Sequence, residues 1–406
     1  MATLNVLLVR HGAYPEDPRV RREALALRDA GHAVTVLCLR EPGQAAREAV
    51  EGIAVRRLPV RHRRRSALRY AVEYAAFMAL ATAWVTVAAA RGRGAGRPLD
   101  IVQVHTMPDA LVFCAAGARA LGSRIVLDLH EAMPELYASK FGVPLRHPLP
   151  RALAAIEQAA IRFADAALAV SEPVRGRYVA RGAPREAFTI VMNAADPRWF
   201  HRGWRAGHRA AGPPRVVSHG TLVERHGFDV LLRALPDVPG ATLDLLGEGE
   251  ARAGLERLAA QLGVADRVAF GGHVPLDRVA ERVAAADVGI VANRSDPFMD
   301  LVVPTKLLEY VALGVPAIVA RTPAVEAYFP SEAVRYVAPG DPAALADALR
   351  ELLGDRAEQE RLVAAADAAW TARHGWPVMA ARYVARIEAL AGQVAGVADA
   401  ERGDAG

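Results

Sequence analysis

Cysteine is almost absent from this chain of 406 residues, which contains only Cys38 and Cys114. Both lie in apolar stretches, and neither belongs to a pattern with zinc-ligand spacing. A disulfide framework is therefore excluded, and we expect the chain to act in a reducing cytoplasm. Because an apolar strand pattern starts at Leu4, we also expect no signal peptide.

Several cofactor motifs are also missing. No Asp-x-Asp follows a predicted strand and no His-x-x-x-His occurs, so we expect no metal site. There is no P-loop, and no Gly-x-Gly-x-x-Gly follows the first strand. These absences argue against nucleotide hydrolases and dinucleotide dehydrogenases, and we expect no resident cofactor.

Lysine occurs only at Lys140 and Lys306, so arginine carries most of the positive charge, and the formal net charge is +5. This balance is compatible with anionic ligands, a membrane surface or nucleic acid, and it selects none of them. Aromatic residues make up only 6% of the chain and are not interleaved with the arginines. We therefore expect no nucleic-acid partner.

Strand and helix patterns alternate along the chain. An apolar run at residues 4–9 is followed by a helix that Asp17 and Pro18 start and Gly31 ends, and then by a strand at residues 34–39. This βαβ order predicts a parallel sheet with helices on both faces. Further strands are predicted at 101–105, 124–128, 166–170, 188–192, 215–219, 241–246, 267–271, 287–292, 316–320 and 334–337, and further helices at 109–121, 150–163, 342–353, 356–373 and 376–393.

The chain reads as two similar α/β halves in series. Residues 199–214 lack apolar periodicity and are rich in Gly, Arg, His and Pro, which is typical of a linker. We predict an N-terminal domain at 1–198 and a C-terminal domain at 199–375. A closing helix at about 376–393 is expected to pack back on the N-terminal domain, and residues 394–406 are expected to form a frayed tail.

A basic cluster precedes a long apolar run in the first half. The cluster comprises Arg61, Arg63, Arg64, Arg65 and Arg69. The run at residues 71–90 could just span a bilayer, but its many alanines and the charge of Glu73 argue against a transmembrane helix. Two alternatives remain: a core helix with a solvated arginine turn, or a helix that lies on an anionic membrane surface through residues 61–90.

Residues 302–320 read as a short helix, a glycine stop and a buried strand. Thr305 is the predicted N-cap, and Gly314 is the predicted stop. The free amides of the first turn, its positive dipole end and Lys306 suit a phosphate, and Glu309 shares their helix face. The alternative is an ordinary capped helix with a solvated Lys-Glu pair.

In open parallel sheets, ligands bind beyond the carboxyl ends of the strands. In the second half, the turn at residues 220–227 contains two glycines and a cation, which suits a diphosphate that approaches backbone amides. Arg225, His226 and Lys306 could converge on it. Gly247 lies in a Gly-x-Gly turn, for which an ordinary turn is an equal alternative.

In the first half, His130 stands directly after a buried strand. It is a candidate acceptor-positioning group or proton shuttle, and a structural histidine is the alternative.

Segments spread over nearly the whole chain resemble the family 4 glycosyltransferases, also called glycosyltransferase group 1. They are residues 17–20, 31–34, 100–105, 128–131, 191–200, 245–249 and 304–316. The resemblance implies the GT-B fold, in which two Rossmann-like domains have parallel sheets that face each other across a cleft. It also implies a nucleotide-sugar donor in the C-terminal half, a hydroxyl acceptor in the N-terminal half, and transfer that retains the anomeric configuration without a required metal.

The resemblance further implies that Glu309 binds the donor ribose and that Gly12 faces the donor phosphates. Two departures from the family pattern stand out. Leu301 occupies the position of the first glutamate of the E-x7-E motif, so the donor-sugar contact would have to come from another side chain. Candidates for that contact are Asp296, Asp300 and Asn293. The second departure is that Thr221 and His226 replace the usual Arg and Lys of the phosphate turn.

The candidate site residues follow from the positions of the strand ends and from the family resemblance. Catalytic candidates are His130, Arg225 and Lys306; donor-binding candidates are Gly12, Gly220, Thr221, His226, Gly247, Asn293, Pro304, Thr305, Leu308 and Glu309; acceptor-side candidates are His105 and Glu131.

These features predict a retaining, metal-independent hexosyltransferase that uses a nucleotide sugar, with a UDP-sugar favoured. The hydroxyl acceptor would be a polysaccharide, a glycolipid (which includes a lipid-linked acceptor) or a natural product. The predicted location is the cytoplasm, including the inner face of the cell membrane. The alternatives are a nucleotide-sugar epimerase or phosphorylase of the same fold, and a catalytically weak subunit that binds sugar nucleotides.

Overall fold

Two mostly parallel sheets organise the chain, each in its own unit. The computed structural model describes the backbone of residues 3–60, 67–208 and 212–403, and the side chains of residues 3–60, 71–205 and 212–392. Unit 1 comprises Met1–Met192 and Met379–Gly406, and unit 2 comprises Asn193–Val378. The closing stretch of the chain thus belongs to the same unit as the N-terminal half.

Unit 1 contains an eight-stranded sheet. Its strands are β1 (Asn5–Arg10), β2 (Ala33–Leu39), β3 (Arg47–Val50), β4 (Ile53–Leu58), β5 (Ile101–His105), β6 (Arg124–Leu129), β7 (Ala166–Ala169) and β8 (Phe188–Ile190). They lie in the order β3-β4-β2-β1-β5-β6-β7-β8, and all neighbours are parallel except β3 and β4. The side chains of β5 are all buried, as expected for a strand covered on both faces.

Helices pack around this sheet. They are α1 (Pro18–Asp29), α2 (Ala67–Gly94), α3 (Ala116–Ala120), α4 (Met133–Phe141), α5 (Pro148–Phe163) and α6 (Glu172–Ala180). Asp17 caps α1 by accepting hydrogen bonds from the amides of Arg19 and Val20 at 3.0 and 3.2 Å. This capping confirms the helix start predicted from Asp17 and Pro18.

Helix α2 has one buried and one exposed apolar stripe. Glu73 and Phe77 are buried, and Oε1 of Glu73 lies 3.4 Å from Nε2 of His11. Val72 and Leu80 lie on the other side and are 61% and 41% exposed. Among the described residues this is the one helix whose length and composition would suffice to cross a membrane, which is weak support for a span. The arginines predicted to flank it lie outside the described side chains.

Unit 2 is a doubly wound sheet. Its strands are β9 (Arg215–His219), β10 (Thr242–Leu246), β11 (Val268–Gly272), β12 (Val288–Val291), β13 (Ala317–Ala320) and β14 (Arg335–Val337). All pairs are parallel, in the order β11-β10-β9-β12-β13-β14. The direction of winding reverses between β9 and β12, and ligands bind at such a point in open α/β sheets.

The helices of unit 2 lie on both faces of this sheet. They are α7 (Arg202–His208), α8 (Phe228–Ala234), α9 (Arg252–Gln261), α10 (Leu276–Ala284), α11 (Thr305–Leu313), α12 (Pro323–Glu326), α13 (Pro342–Gly354) and α14 (Arg356–His374), and the closing helix α15 (Trp376–Gly403) continues into unit 1. Leu231, Leu245, Ile290 and Leu349 are fully buried in one apolar cluster.

Three features differ from the sequence-based expectations. The predicted linker contains α7, in which the guanidinium of Arg205 hydrogen-bonds the backbone carbonyls of Ala286 and Gly314, so tertiary contacts hold a stretch that lacks apolar periodicity. Thr305 is not the N-cap of α11. Pro304 holds that position, and no side chain caps the helix start. The backbone of α15 is helical up to Gly403, where a frayed tail was expected from residue 394.

Candidate functional site

The carboxyl ends of β9 and β10 border a cavity in unit 2. Its volume is about 290 Å³, and three of the donor-binding candidates, Gly220, Thr221 and Gly247, contribute to its wall. The full lining is His219, Gly220, Thr221, Leu246, Gly247, Glu248, His273, Val274, Leu276 and Val279. The cavity therefore lies beside the winding reversal of the sheet, where the strand order predicts a ligand.

Two glycines let the loops after β9 and β10 pack backbone against backbone. Gly247 has a φ of +139°, and a Cβ on it would lie 1.9 Å from the carbonyl oxygen of Gly220. A Cβ on Gly249 would lie 2.2 Å from the carbonyl oxygen of Leu222. Glycine is therefore required at both positions. Such a requirement favours two loops that are packed specifically against each other over an ordinary turn at Gly247.

Lys306 places a buried ammonium beside the first of these loops. The residue is 8% exposed, and its Nζ has no hydrogen-bond partner among the described residues. Nζ lies 3.8 Å from the position of a Cβ on Gly220 and 4.8 Å from the ring centre of Phe228. Burial lowers the pKa of Lys306 to about 8, although the carboxylate of Glu309 acts in the opposite direction. A buried cation that has no hydrogen-bond acceptor among the described residues, in the first turn of a helix that no described side chain caps, is suited to bind an anion.

Glu309 lies one turn further along α11 and is 7% exposed. Its Oε2 is 3.1 Å from Nε2 of His219, the last residue of β9. Burial, and then the charge of Lys306, lower the pKa of His219 to about 3. His219 is therefore neutral at physiological pH and adds no charge beside the carboxylate.

His226 is also neutral. Burial, followed by the charge of Lys306, lowers its pKa to about 4. Its Nδ1 donates to the carbonyl oxygen of Thr221 at 2.8 Å, so His226 holds the turn rather than supplying a cation. Arg225 is half-buried, and its Nε has no hydrogen-bond partner among the described residues. Of the three side chains predicted to bind phosphate, Lys306 and Arg225 therefore carry a charge, and His226 does not.

The other donor-side candidates lie on other segments of unit 2. Asn293 is 3% exposed just beyond β12, and Pro304 and Thr305 start α11. Leu308 does not line the donor cavity. It borders a separate, mainly apolar cavity of about 250 Å³ together with Trp370.

Leu301 is buried in a short 3-10 helix, Met299–Leu301. Asp296 accepts hydrogen bonds from the amides of Phe298 and Met299 at 2.8 Å each, and Asp300 accepts from the hydroxyl of Ser295 at 2.9 Å. The two carboxylates closest to the missing glutamate in sequence therefore already stabilise their own loop.

The winding of the unit 1 sheet reverses between β1 and β5, and a polar cluster lies at the strand ends beside this point. Oδ2 of Asp128 is 2.9 Å from Nδ1 of His105 and 3.0 Å from Nε2 of His130. The two histidine nitrogens are 3.2 Å apart. His105 and Asp128 are fully buried, whereas the side chain of His130 is 14% exposed.

Arg19 of α1 stabilises this cluster. Its Nε and Nη2 donate to the two carboxylate oxygens of Asp128 at 2.8 and 2.6 Å. Burial alone would raise the pKa of Asp128, but Arg19 and the hydrogen bonds from the two histidines hold it well below its usual value. Burial lowers the pKa of His130 to about 4, against the opposing effect of Asp128. His130 is therefore neutral at physiological pH.

Sequence reasoning found His105 and His130 but missed the residues that orient them. Asp128 was visible as a charged residue inside an apolar strand pattern, and Arg19 as a charged residue at the start of α1. Glu131 follows His130 and is half-buried. Gly12 lies in the loop after β1, where its carbonyl oxygen accepts from the amide of Leu39 at 2.9 Å.

Two protein-family descriptions match the chain. "Glycosyl transferase 4-like domain" matches residues 17–194, and "Glycosyl transferases group 1" matches residues 213–355. The first match covers most of the N-terminal half, and the second covers most of unit 2.

Curated relatives match over shorter stretches. The lipopolysaccharide core biosynthesis glycosyltransferase LpsE of Rhizobium meliloti is 38% identical over 112 residues, which cover 28% of this chain and 31% of the relative. The GDP-mannose-dependent alpha-(1-6)-phosphatidylinositol monomannoside mannosyltransferase of Mycobacterium tuberculosis is 32% identical over 234 residues, 54% of this chain and 60% of the relative. The chain thus matches about a third to three fifths of the length of these relatives.

Solved structures match over almost the full length. Sucrose-phosphate synthase from Thermosynechococcus elongatus has a TM-score of 0.74 at 20% identity, with 95% of this chain and 99% of that chain covered. Anabaena HepE in complex with UDP and glucose has a TM-score of 0.69 at 17% identity, with the same coverage. The likeness confirms the predicted α/β GT-B fold class. The two family matches, which together cover most of the chain, show that it belongs to the group 1 glycosyltransferases.

Proposed function

We propose that the chain is a retaining glycosyltransferase that moves a sugar from a nucleotide-sugar donor to a hydroxyl acceptor. The observation that carries the proposal is the buried ammonium of Lys306 beside Gly220. A diphosphate would supply the acceptor oxygens that this ammonium lacks among the described residues. Unit 2 would bind the nucleotide-sugar donor, and the histidine cluster of unit 1 would bind the hydroxyl acceptor.

The charge that develops on the leaving diphosphate is the main electrostatic problem of this reaction. Lys306, Arg225 and the first amides of α11 would stabilise it, because fixed donors in a partly dry site need little reorganisation. Glu309, which lies beside His219, would accept hydrogen bonds from the donor ribose. The acceptor hydroxyl would attack the anomeric carbon on the face that the diphosphate leaves.

We further propose a UDP-sugar as the donor. A structural relative of the same fold has been solved with UDP and glucose, which supports this choice. A curated relative is named for GDP-mannose, so GDP is the competing nucleotide.

A thermal-shift screen tests the donor proposal. The full chain is heated with UDP, GDP, dTDP and ADP and with their sugars, and Lys306→Ala serves as the control variant. One nucleotide should stabilise the wild type by about 2.7 kcal/mol at a hundredfold excess over its Kd. Stabilisation by GDP alone would overturn the UDP assignment, and no shift with any nucleotide would overturn the donor site.

We also propose that α2 contacts the inner face of the cell membrane, which would favour a lipid-linked acceptor. The supporting observation is its exposed apolar stripe, which includes Val72, Leu80 and Val87 at 61%, 41% and 46% exposure. An apolar helix face that stays in water is unfavourable, whereas the headgroup region of a bilayer would cover it. Glu73, which argued against a span, faces the protein instead.

Liposome co-sedimentation tests this contact. Leu80→Glu should release the protein from vesicles of phosphatidylglycerol and phosphatidylcholine, because it places a charge in the apolar stripe. Leu149→Glu is the matched control, since Leu149 is 49% exposed on α5. Equal binding of both variants, or no binding of the wild type, would contradict the proposal.

A catalytically weak subunit that binds sugar nucleotides is the second candidate, and Leu301 favours it. A leucine cannot accept the donor-sugar hydrogen bonds that a glutamate would. Incubation of the stabilising nucleotide sugar with a panel of hydroxyl acceptors separates the two: binding without any transfer would favour the subunit.

A further inference from the structure

A chain of hydrogen bonds crosses the core of unit 1 and ends at His130. It starts on the closing helix, where the hydroxyl of Tyr383 donates to Oε1 of Gln103 at 2.8 Å. Nε2 of Gln103 donates to Oε2 of Glu23 at 2.6 Å and lies 3.4 Å from Nε2 of His105. Tyr383, Gln103, Glu23 and His105 are all fully buried, so water cannot substitute for any of these partners.

These contacts fix the orientation of Gln103 and, through it, the tautomer of His105. The amide oxygen of Gln103 faces the tyrosine hydroxyl, so its NH2 group faces Glu23 and His105. An amide nitrogen only donates, so Nε2 of His105 must accept, and a neutral His105 carries its proton on Nδ1. That proton points at Oδ2 of Asp128, 2.9 Å away.

Asp128 in turn determines the tautomer of His130. Arg19 holds it as a carboxylate, which accepts hydrogen bonds and donates none. Nε2 of His130, 3.0 Å from Oδ2, must therefore carry a proton. Because His130 is neutral, its Nδ1 is left with a lone pair. His130 is also the one histidine of this cluster with an exposed side-chain surface.

The same three side chains could in principle hold a metal ion, because their ligand atoms lie within 4.8 Å of one another. The hydrogen bonds argue against this. Nδ1 of His105 would have to be unprotonated to bind a metal, but Gln103 requires a proton there. Both oxygens of Asp128 also accept from Arg19, whose buried positive charge would repel a cation.

We propose that the series Tyr383, Gln103, His105 and Asp128 is a positioning relay that presets His130 as the Nε2–H tautomer. His130 then presents Nδ1 as a hydrogen-bond acceptor for a substrate hydroxyl. The role toward a substrate rests on the proposed glycosyl transfer, whereas the tautomer is a property of the free protein. The relay also gives the closing helix a function in unit 1, because its Tyr383 orients a group at the carboxyl end of β6.

Nitrogen NMR of the full chain, labelled with 15N in its 12 histidines, measures the tautomer directly. His130→Gln and His105→Gln assign the two rings. In the wild type, Nδ1 of His130 should resonate as an unprotonated nitrogen and Nε2 as a protonated one. A protonated Nδ1, or a mixture of tautomers, would overturn the relay. Line broadening or shifts of the two rings on addition of Zn²⁺ alone would favour the metal site and would also overturn it.

Two variants test whether the hydrogen bonds between Tyr383 and Asp128 determine the tautomer of His130. Tyr383→Phe removes only the first hydroxyl and leaves Glu23 as the partner of the Gln103 amide. Because burial raises the pKa of Glu23 to about 7, its protonated form can donate to a turned Gln103, so a second tautomer should appear at His105 and at His130. Transfer of the sugar from the nucleotide identified by the thermal-shift screen should fall about fivefold, the factor for one neutral hydrogen bond. Tyr178→Phe is the matched control, because Tyr178 is equally buried in unit 1 and its hydroxyl has no hydrogen-bond partner among the described residues.

Asp128→Asn should have the larger effect, because an amide group in place of the carboxylate can oppose either histidine with a donor. We expect a tautomer mixture at His130 and a loss of transfer of about 100-fold, the lower end for a positioned proton-transfer or hydrogen-bonding group. If this variant does not fold, Tyr383→Phe still decides the question. Unchanged tautomers in Tyr383→Phe would overturn the relay. Correct tautomers in a wild type that transfers no sugar would instead overturn the proposed function and leave the relay intact.

Discussion

Lys306→Met is expected to make the free protein more stable and, at the same time, to abolish most of its binding to nucleoside diphosphates. The charged ammonium is buried, and its pKa is lowered from 10.5 to about 8. A pKa difference of this size corresponds to about 3 kcal/mol by which the native state disfavours the charge at neutral pH. Methionine keeps the apolar stem against Phe228 and removes the charge. Transfer should fall by about 100-fold or more, because a donor to the leaving group is lost.

The stabilising effect of Lys306→Met should depend on pH in a direction that follows from the lowered pKa of Lys306. Since the pKa in the folded state is lower than in the unfolded state, the unfolded chain binds more protons between pH 8 and pH 10.5. The contribution of Lys306 to stability therefore rises with pH across this window, and Lys306→Met should lack that rise. A bound diphosphate favours the charged ammonium and should raise its pKa, so nucleotide affinity should weaken as the pH rises above 8.

Thermal denaturation between pH 7 and pH 10.5, with and without nucleotide, measures both effects. Lys140 is the other lysine of the chain and is exposed, so Lys140→Met is the matched control and should change neither stability nor affinity. In 13C NMR of the chain with labelled lysine, the Cε signal of Lys306, which is assigned by its loss in Lys306→Met, should titrate near pH 8. A Lys306→Met protein that is less stable than the wild type, or that still binds the nucleotide, would contradict the role of this residue.

Gly247→Ala is expected to destabilise the chain by about 3 kcal/mol or more and to remove nucleotide binding. The new methyl group would lie 1.9 Å from the carbonyl oxygen of Gly220, and φ at this position is +139°. Backbone atoms cannot rotate away as a side chain can, so one of the two loops must move. Movement of the loop after β9 would displace Gly220 from Lys306, and movement of either loop would disturb the cavity wall.

Gly254→Ala is the matched control for this experiment. Gly254 lies within α9, and the nearest heavy atom to a Cβ there is 4.0 Å away. Alanine should therefore stabilise the chain by about 0.5–1 kcal/mol, since it favours the helix and meets no obstacle. Melting temperatures and nucleotide shifts of the two variants can be compared directly. Wild-type nucleotide binding by Gly247→Ala would mean that the loop pair does not form the donor site.

The parts of the fold that were predictable depend on local chemistry. The cap at Asp17, the stop at Gly314 and the apolar runs of the strands each depend on a few neighbouring residues. Helix α7 and the antiparallel pair of β3 and β4 were missed because their own sequences carry no clear period. The N-cap at Thr305 was wrong because Pro304 already holds the extended backbone that an N-cap requires.

The sequence by itself determined the alternation of strands and helices, the positions of the strand ends, the presence of His130 at one of them and the presence of Lys306 in the first turn of α11. Those properties follow from the period of apolar residues and from residues close to each other in the chain. Only the tertiary structure decided that Lys306 has no acceptor among the described residues, that Gly247 must lack a side chain, and that Tyr383 is linked to His130 through the core. Each of these depends on atoms far apart in sequence, and distances, burial and hydrogen-bond direction exist only once the chain is folded.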